Sequence, residues 1–444
     1  MRFQLSDHFS LGKLILFTLP SIAMMIFTSI YGVVDGFFVS NFAGKTPFAA
    51  VNLIMPVLMI LGTVGFMLGT GGTALVAKTL GEGDKTKANR YFSLFIYVAI
   101  ALGVLLASLG FIFIRPIASA LRAEGELLSN CVIYARIILV ALPFFVLQVM
   151  FQSFFVAAEK PQLGLIVTVL SGLTNIILDA LLVLLLPQEL KLAGAAAASA
   201  ASQLVGGVIP LIYFSRQNSS LLRLGKTTID RKAIIKACTN GSSEFMSNIS
   251  MSIVGIIYNL RLMEYAGENG IAAYGVMMYV SMIFSAAFVG FSIGGAPVIS
   301  YHDGAANYDE LKSLLRKSLI IIGGFGVGMV ISAELLAAPL SRIFVGYDPK
   351  LFELTVSGFR IFALSFGFMG FGIFTSGFFT ALNDGLTSAL ISFLRTLVFQ
   401  SASIMLLPML WGIDGIWLSV VAAELMAVIL SVIFLAAKRR KYHY

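Results

Sequence analysis

Three polar side chains stand out in this chain because their surroundings are otherwise apolar. Asp35 lies in the first apolar stretch, fifteen residues after Pro20, and Asn175 and Asp179 lie in the fifth. Ionisable groups inside apolar spans are costly and mark ion or substrate paths. Asn175 and Asp179 are four residues apart and so share one helix face, a turn apart. Two carboxylates and an amide offer oxygens suited to a hard cation such as sodium. The same carboxylates, held close together, would also retain a proton. The plainer readings are a carboxylate reaching outer water at the helix end for Asp35, and helix-to-helix hydrogen bonding for the other two.

Along the first helix, Met24, Thr28, Tyr31 and Asp35 follow helical spacing on one face, with Met25 beside them. Hydroxyls, a thioether and an acid on one face suit a cavity wall better than lipid. Pro20 removes one backbone hydrogen bond and offers a hinge. Gln148 and Gln152, one turn apart in the fourth helix, are candidates for the same cavity. From the other half of the chain, Glu244 with Asn248 at i+4 either faces the cavity, where it would attract cations, or caps the cytoplasmic end of its helix. Arg395 and Glu424 receive no role from the sequence. The 18 methionines and 37 phenylalanines suit an adaptable interior for promiscuous binding.

The elements that must position these residues are membrane helices. Of 444 residues, 58% are hydrophobic and 12% charged, about half the charged share of soluble domains. Apolar stretches long enough to cross the hydrocarbon layer recur throughout, and ten-residue strand alternation is absent. Twelve spans are predicted, at 13–40, 49–77, 92–114, 132–157, 163–186, 194–214, 235–263, 272–299, 317–337, 352–381, 386–408 and 414–436. The first is read as a retained helix, since it has no cleavage site for a signal peptide. With both termini in the cytoplasm, cytoplasmic segments hold 20 of the 30 basic residues and outer loops six. The net charge of +8 is therefore a topology signal, and nucleic-acid binding is not indicated.

The chain also repeats itself. Shifted by 223 residues, Ser29–Gly81 matches the second half at 13 of 53 positions, among them Gly44/Gly267, Gly71/Gly294 and Gly81/Gly304. Six spans separate the copies, so the expected fold is all-α, with twelve helices in two six-helix lobes. The lobes would be related by a pseudo-two-fold axis along the membrane normal, with a shared central cavity. The lobes are assigned to 1–214 and 236–444, joined by a basic cytoplasmic linker at 215–235. The loops 78–91 and 300–316 are read as cytoplasmic elbows. Asp35 falls on Tyr258, and with an offset of 224 Asn175 and Asp179 fall on Phe399 and Ser403. Loss of these groups from the second copy points to a single cation site in the first lobe.

No Walker loop is present, because Gly69-Thr70-Gly71-Gly72 lacks the Gly-Lys-Ser/Thr that should follow. His8, His302 and His443 lie in loops or tails, and Cys131 and Cys238 fall on opposite sides of the bilayer. Neither a catalytic constellation nor a metal spacing emerges, so the chain is not read as an enzyme. Energy would come from an ion gradient.

The chain resembles the multidrug and toxic compound extrusion (MATE) transporters over essentially its full length. The resemblance rests on the two six-helix repeats, on Pro20 to Asp35 with Val-Val-Asp-Gly-Phe-Phe-Val running on to Gly44, on Asn175-x-x-x-Asp179, and on Gly194-Ala195-Ala196-x-Ala198-Ser199. It implies a multi-pass bacterial plasma-membrane exporter of cationic amphipathic compounds, driven by exchange for sodium or protons and needing no cofactor. It implies a cation site at Asp35, Asn175, Asp179 and Ser199, as in the bacterial branch whose site is in the N-terminal lobe. Ser199 departs from the family's frequent threonine, and the seventh-helix acid of another branch has no match, Glu244 falling too early. The competing reading is a lipid-linked sugar flippase of related architecture, whose cavity would be more basic. The expected partners are small organic cations and membrane lipid, with the monomer as the functional unit.

Overall fold

A computed structural model describes residues 4–444. In the first half, six helices cross the membrane in turn: α1 (Leu11–Phe38), α2 (Lys45–Gly81), α3 (Lys85–Ala120), α4 (Gly125–Ala157), α5 (Pro161–Leu185) and α6 (Lys191–Ser215). The short helix α7 (Arg231–Asn240) opens the second half. It is followed by α8 (Ser242–Gly304), α9 (Tyr308–Val345), α10 (Pro349–Ala363), α11 (Phe366–Ala381), α12 (Gly385–Phe393) and α13 (Gln400–Tyr442).

Two of these are each more than one crossing. A straight helix of the 63 residues in α8 would be about 95 Å long, three times the hydrocarbon thickness. The backbone turns back at Gly267, with φ 58° and ψ −148°, a conformation open chiefly to glycine. Its repeat partner Gly44 breaks the chain between α1 and α2 with φ 111°. Gly412, with φ 56° and ψ −132°, divides α13 in the same way. Residues α10 and α11 make one crossing bent by 47°, and α12 runs into α13 through a π-turn at Leu394–Phe399. Counted so, the chain crosses twelve times, as the sequence predicts.

Several boundaries differ from the sequence reading. The elbows are only three residues each, because α2 and α8 stay helical to Gly81 and Gly304. Residues 231–240, placed by the sequence partly in the linker and partly in the seventh span, form the separate helix α7. The stretch before it is pinned to α3: Arg223 N–H donates to Asn89 Oδ1 at 2.6 Å and Gly225 N–H to Ser93 Oγ at 3.0 Å. Helix α1 runs unbroken through Pro20, and its irregularity comes later, in a π-turn at Val39–Ala43 just beyond Asp35.

Among the described residues the closest contacts between the lobes are in their cytoplasmic halves. Gly81 lies against the Tyr301 carbonyl and Gly304 against the Lys78 carbonyl, so a Cβ on either glycine would sit 2.0 Å from that oxygen. These are one contact made twice by the pseudo-symmetry. Lys78 Nζ bonds Asp303 Oδ2 at 2.8 Å across the same seam. The N-terminal segment straddles it as well: Leu5 N–H donates to Glu159 Oε1 at 2.7 Å and Phe9 N–H to Glu310 Oε1 at 3.0 Å. His8 Nδ1 also pairs with Glu310, and Lys317 Nζ with the Phe9 carbonyl. One hydrophobic core runs from the first lobe into the cytoplasmic half of the second, through Phe288, Phe291 and Phe378. A separate core around Trp417, Phe359 and Tyr258 fills the outer half of the second lobe. Toward the outer side the lobes part. Gly32, Gly36 and Gly255 meet no neighbouring atom, and Met59 and Met278 are exposed. The molecule is closed toward the cytoplasm and open outward.

Candidate functional site

The first-lobe candidates come together between α1, α5 and α6. Ser199 Oγ donates to Asp35 Oδ1 at 3.3 Å and receives Asn175 Nδ2 at 3.4 Å. Asp35 is the charged neighbour of Asp179 in this cluster. Asn175 and Asp179 are 2% and 0% exposed, and Asn175 Oδ1 and both Asp179 oxygens have no partner among the described residues. Buried oxygens without donors are costly, and two carboxyls side by side need a shared proton or a cation between them. Three orphan oxygens and a hydroxyl fit a sodium ion by donor type, and the pair of acids fits a proton equally well. Among the described residues, no three His, Cys, Asp or Glu side chains are grouped to hold a metal ion.

Tyr134, which the sequence reading does not single out, is buried near this site. It is 1% exposed, its hydroxyl has no partner among the described residues, and it lies within electrostatic reach of both carboxyls. It stands fourteen residues, or about four turns, before Gln148. That face of the fourth helix was the signal that could have found it.

The other candidates separate. Gln148 turns into the first lobe, donating to Ser171 Oγ at 3.0 Å, in a space kept open by Gly206, where a Cβ would lie 2.5 Å from its Cδ. Tyr31 packs on Phe27, with ring centres 6.0 Å apart. Thr28 returns its hydroxyl to the Met24 carbonyl at 2.9 Å, and Met25 is half-buried beside it. Gln152 is buried. None of these five lines the central cavity.

That cavity, of about 440 Å³, is walled mainly by the second lobe. Phe66, Thr70, Thr73 and Ser153 complete it from the first lobe. Glu244 and Asn248 line it from the first turns of α8, deeper toward the cytoplasm than Asp35. Glu244 lines this wall, and α8 has no side-chain cap hydrogen bond at its start. Tyr258, stacked on Tyr274 at 5.2 Å and donating to Gln400 Oε1 at 2.9 Å, forms part of the wall where the first lobe carries Asp35. Arg395 and Glu424, joined in an ion pair, complete it.

The fold is similar to that of a solved structure described as MATE in complex with MaL6, with a TM-score of 0.92, 21% identity and 98% of both chains covered. The sequence is 27% identical over 427 residues to multidrug export protein MepA of Staphylococcus haemolyticus (strain JCSC1435), covering 96% of this chain and 93% of that protein. It is 25% identical over 411 residues to its Staphylococcus aureus (strain MRSA252) namesake, covering 92% and 89%. A family model, MatE, matches residues 20–181 and 245–404, a block in each lobe. On that match the chain belongs to the MatE family.

Proposed function

We propose that this multi-pass membrane protein is a secondary active multidrug exporter that exchanges amphipathic, mostly cationic organic compounds for protons or sodium by alternating access. The observation that carries the reading is the buried Asp179 carboxyl, without a partner among the described residues and grouped with Asp35, in a lobe that borders an outward-open, largely apolar cavity. In this cycle the coupling ion binds at Asp35, Asn175, Asp179 and Ser199, and substrate binds in the cavity with Glu244 as its acidic anchor. Binding of the one alters the affinity for the other because each favours a different arrangement of the lobes. Helix α1 links the two sites: it carries Asp35, and its cytoplasmic half packs on α8 where Ser21 and Ile22 meet Gly290. Met25, Thr28, Tyr31, Gln148 and Gln152 then act on the first-lobe wall rather than on substrate in this conformation, and Pro20 is the place where α1 can bend.

Both walls of the cavity come from one chain, which supports a functional monomer. The lipid-linked sugar flippase fits less well, since Glu244 has no ion pair among the described residues and the one basic side chain lining the cavity, Arg395, is already matched to Glu424. The test is efflux of ethidium from proteoliposomes under a sodium or a proton gradient, beside Asp35→Asn. Transport driven by one gradient and lost in the variant is the expected result. Full activity in Asp35→Asn would refute the mechanism.

A further inference from the structure

The ion pair Arg395–Glu424 has no task in the transport cycle above. Arg395 sits in the π-turn between α12 and α13, an irregularity frequent at functional sites. Its Nε and Nη2 grip Glu424 Oε2 and Oε1, both at 2.8 Å. Glu424 is buried and spends both oxygens on this fork. Arg395 keeps 14% of its side chain exposed, and its Nη1 makes no hydrogen bond among the described residues. Arg395 lines the cavity beside Ser392, Thr396 and Glu424, and Nη1 is the guanidinium nitrogen that the fork leaves without a partner.

The seat for that guanidinium is built. A Cβ on Gly372 would lie 2.7 Å from Arg395 Cδ and 2.9 Å from Nε. At the offset of 224 the first-lobe counterparts of Gly372 and Arg395 are Gln148 and Ser171, a neutral hydrogen-bonded couple. The second lobe has a charged fork where the first has an amide and a hydroxyl. Helix packing alone does not call for it, since a buried ion pair is seldom better than apolar side chains of similar volume. Glu424 also leaves the pair neutral overall, so Arg395 adds a directed donor without repelling cations.

The cavity has an opposite pole. Glu244 forms no ion pair among the described residues. Gly385 packs on the backbone of Asn240, which puts the start of α12 beside the end of α7, just before α8 begins. Arg395 is ten residues, about three turns, beyond Gly385, whereas Glu244 is in the first turn of α8, so Arg395 lies farther from the cytoplasmic side.

We infer that Arg395 forms a second, acceptor-binding subsite, and that the cavity takes amphiphiles carrying a carboxylate or similar strong acceptor as well as a cationic amine. The amine lies toward Glu244 and the acceptor on the free edge of Arg395. This rests on the export function proposed above and assigns to Arg395 the preference among its substrates.

Two dyes of one skeleton make the test: tetramethylrosamine, a cation without a carboxyl group, and tetramethylrhodamine, its carboxylate-bearing relative. Binding to the purified protein is read by fluorescence anisotropy, with export from proteoliposomes in parallel. Wild type should bind the rhodamine more tightly than the rosamine. In Arg395→Gln/Glu424→Gln, which leaves no unpaired charge, the rhodamine Kd should rise about tenfold, the order of one charge-assisted hydrogen bond. The rosamine Kd should stay within twofold. Arg395→Lys, which keeps the charge and loses the fork, should show the same contrast and serves if the double variant fails to insert. Equal binding of both dyes by wild type, or an unchanged ratio in the variants, overturns the inference even if rosamine is exported. Export of neither dye would instead overturn the function on which it rests.

Discussion

Replacing Gly81 or Gly304 with alanine should shift the protein away from its outward-open arrangement. A Cβ at either position lies 2.0 Å from a carbonyl oxygen of the opposite lobe, whereas ordinary contact begins at 3.4 Å, so the seam must open by about 1.4 Å (3.4 less 2.0). Backbone occupies both sides, and no flexible side chain can yield. Overpacking of this kind costs about 1–3 kcal/mol. That is about a 5- to 150-fold change in the ratio of closed to open cytoplasmic ends. The two substitutions strike symmetry-related halves of one seam. Once the first has parted the lobes, the second meets less resistance, so their effects should be sub-additive. Spin labels at Lys87 and Lys312, exposed on the cytoplasmic turns of α3 and α9, would report the distance after Cys131 and Cys238 are replaced. The expected result is a new, longer distance in each single variant and little further gain in the double. A distribution unchanged from wild type would refute the argument, and full additivity would refute its symmetry.

Asp179→Asn should abolish coupled transport while leaving the melting temperature in detergent equal or higher, because it removes one of two adjoining carboxyls; a marked drop would assign Asp179 to helix packing. Gly206→Ala should lower that temperature by several degrees, since the new methyl displaces Gln148 from Ser171. At the cytoplasmic surface, burial opposes the charge on Asp384, but Tyr442, Thr387 and Lys438 outweigh it and hold its carboxyl below the usual 3.8. A carboxyl with a depressed pKa contributes stability that is present above the unfolded-state value and lost as pH falls through the folded one. Wild type should therefore melt above Asp384→Asn at pH 7, with the gap closing only below about pH 3.8; a gap that closes between pH 5 and 7 would contradict this.

The crossings and the first-lobe acids were legible because their signals are local. A run of apolar residues has a length, and an acid inside it stands out. Asn175 and Asp179 declare a common face by spacing alone. The ion pair of Arg395 and Glu424 could not be read that way, since 29 residues and a glycine break separate its members and only packing brings them together. The destination of Gln148 was hidden for the same reason: Ser171 and Gly206 are on other helices. The turns at Gly267 and Gly412 lie within long apolar stretches, and a glycine's φ is not written in hydropathy. Glu244 was ambiguous because its depth depended on where α7 ends.

The N-terminal segment offers a natural clock for the cycle. The amides of Leu5 and Phe9 are bonded to Glu159 and Glu310, one acceptor in each lobe. Separation of the cytoplasmic ends cannot preserve both bonds. Their hydrogens should therefore exchange with deuterated solvent only while the inner side is open, and at a rate set by how often it opens. Exchange at these two amides would count openings in unlabelled protein, with and without the coupling ion, and so turn a static contact into a measure of turnover.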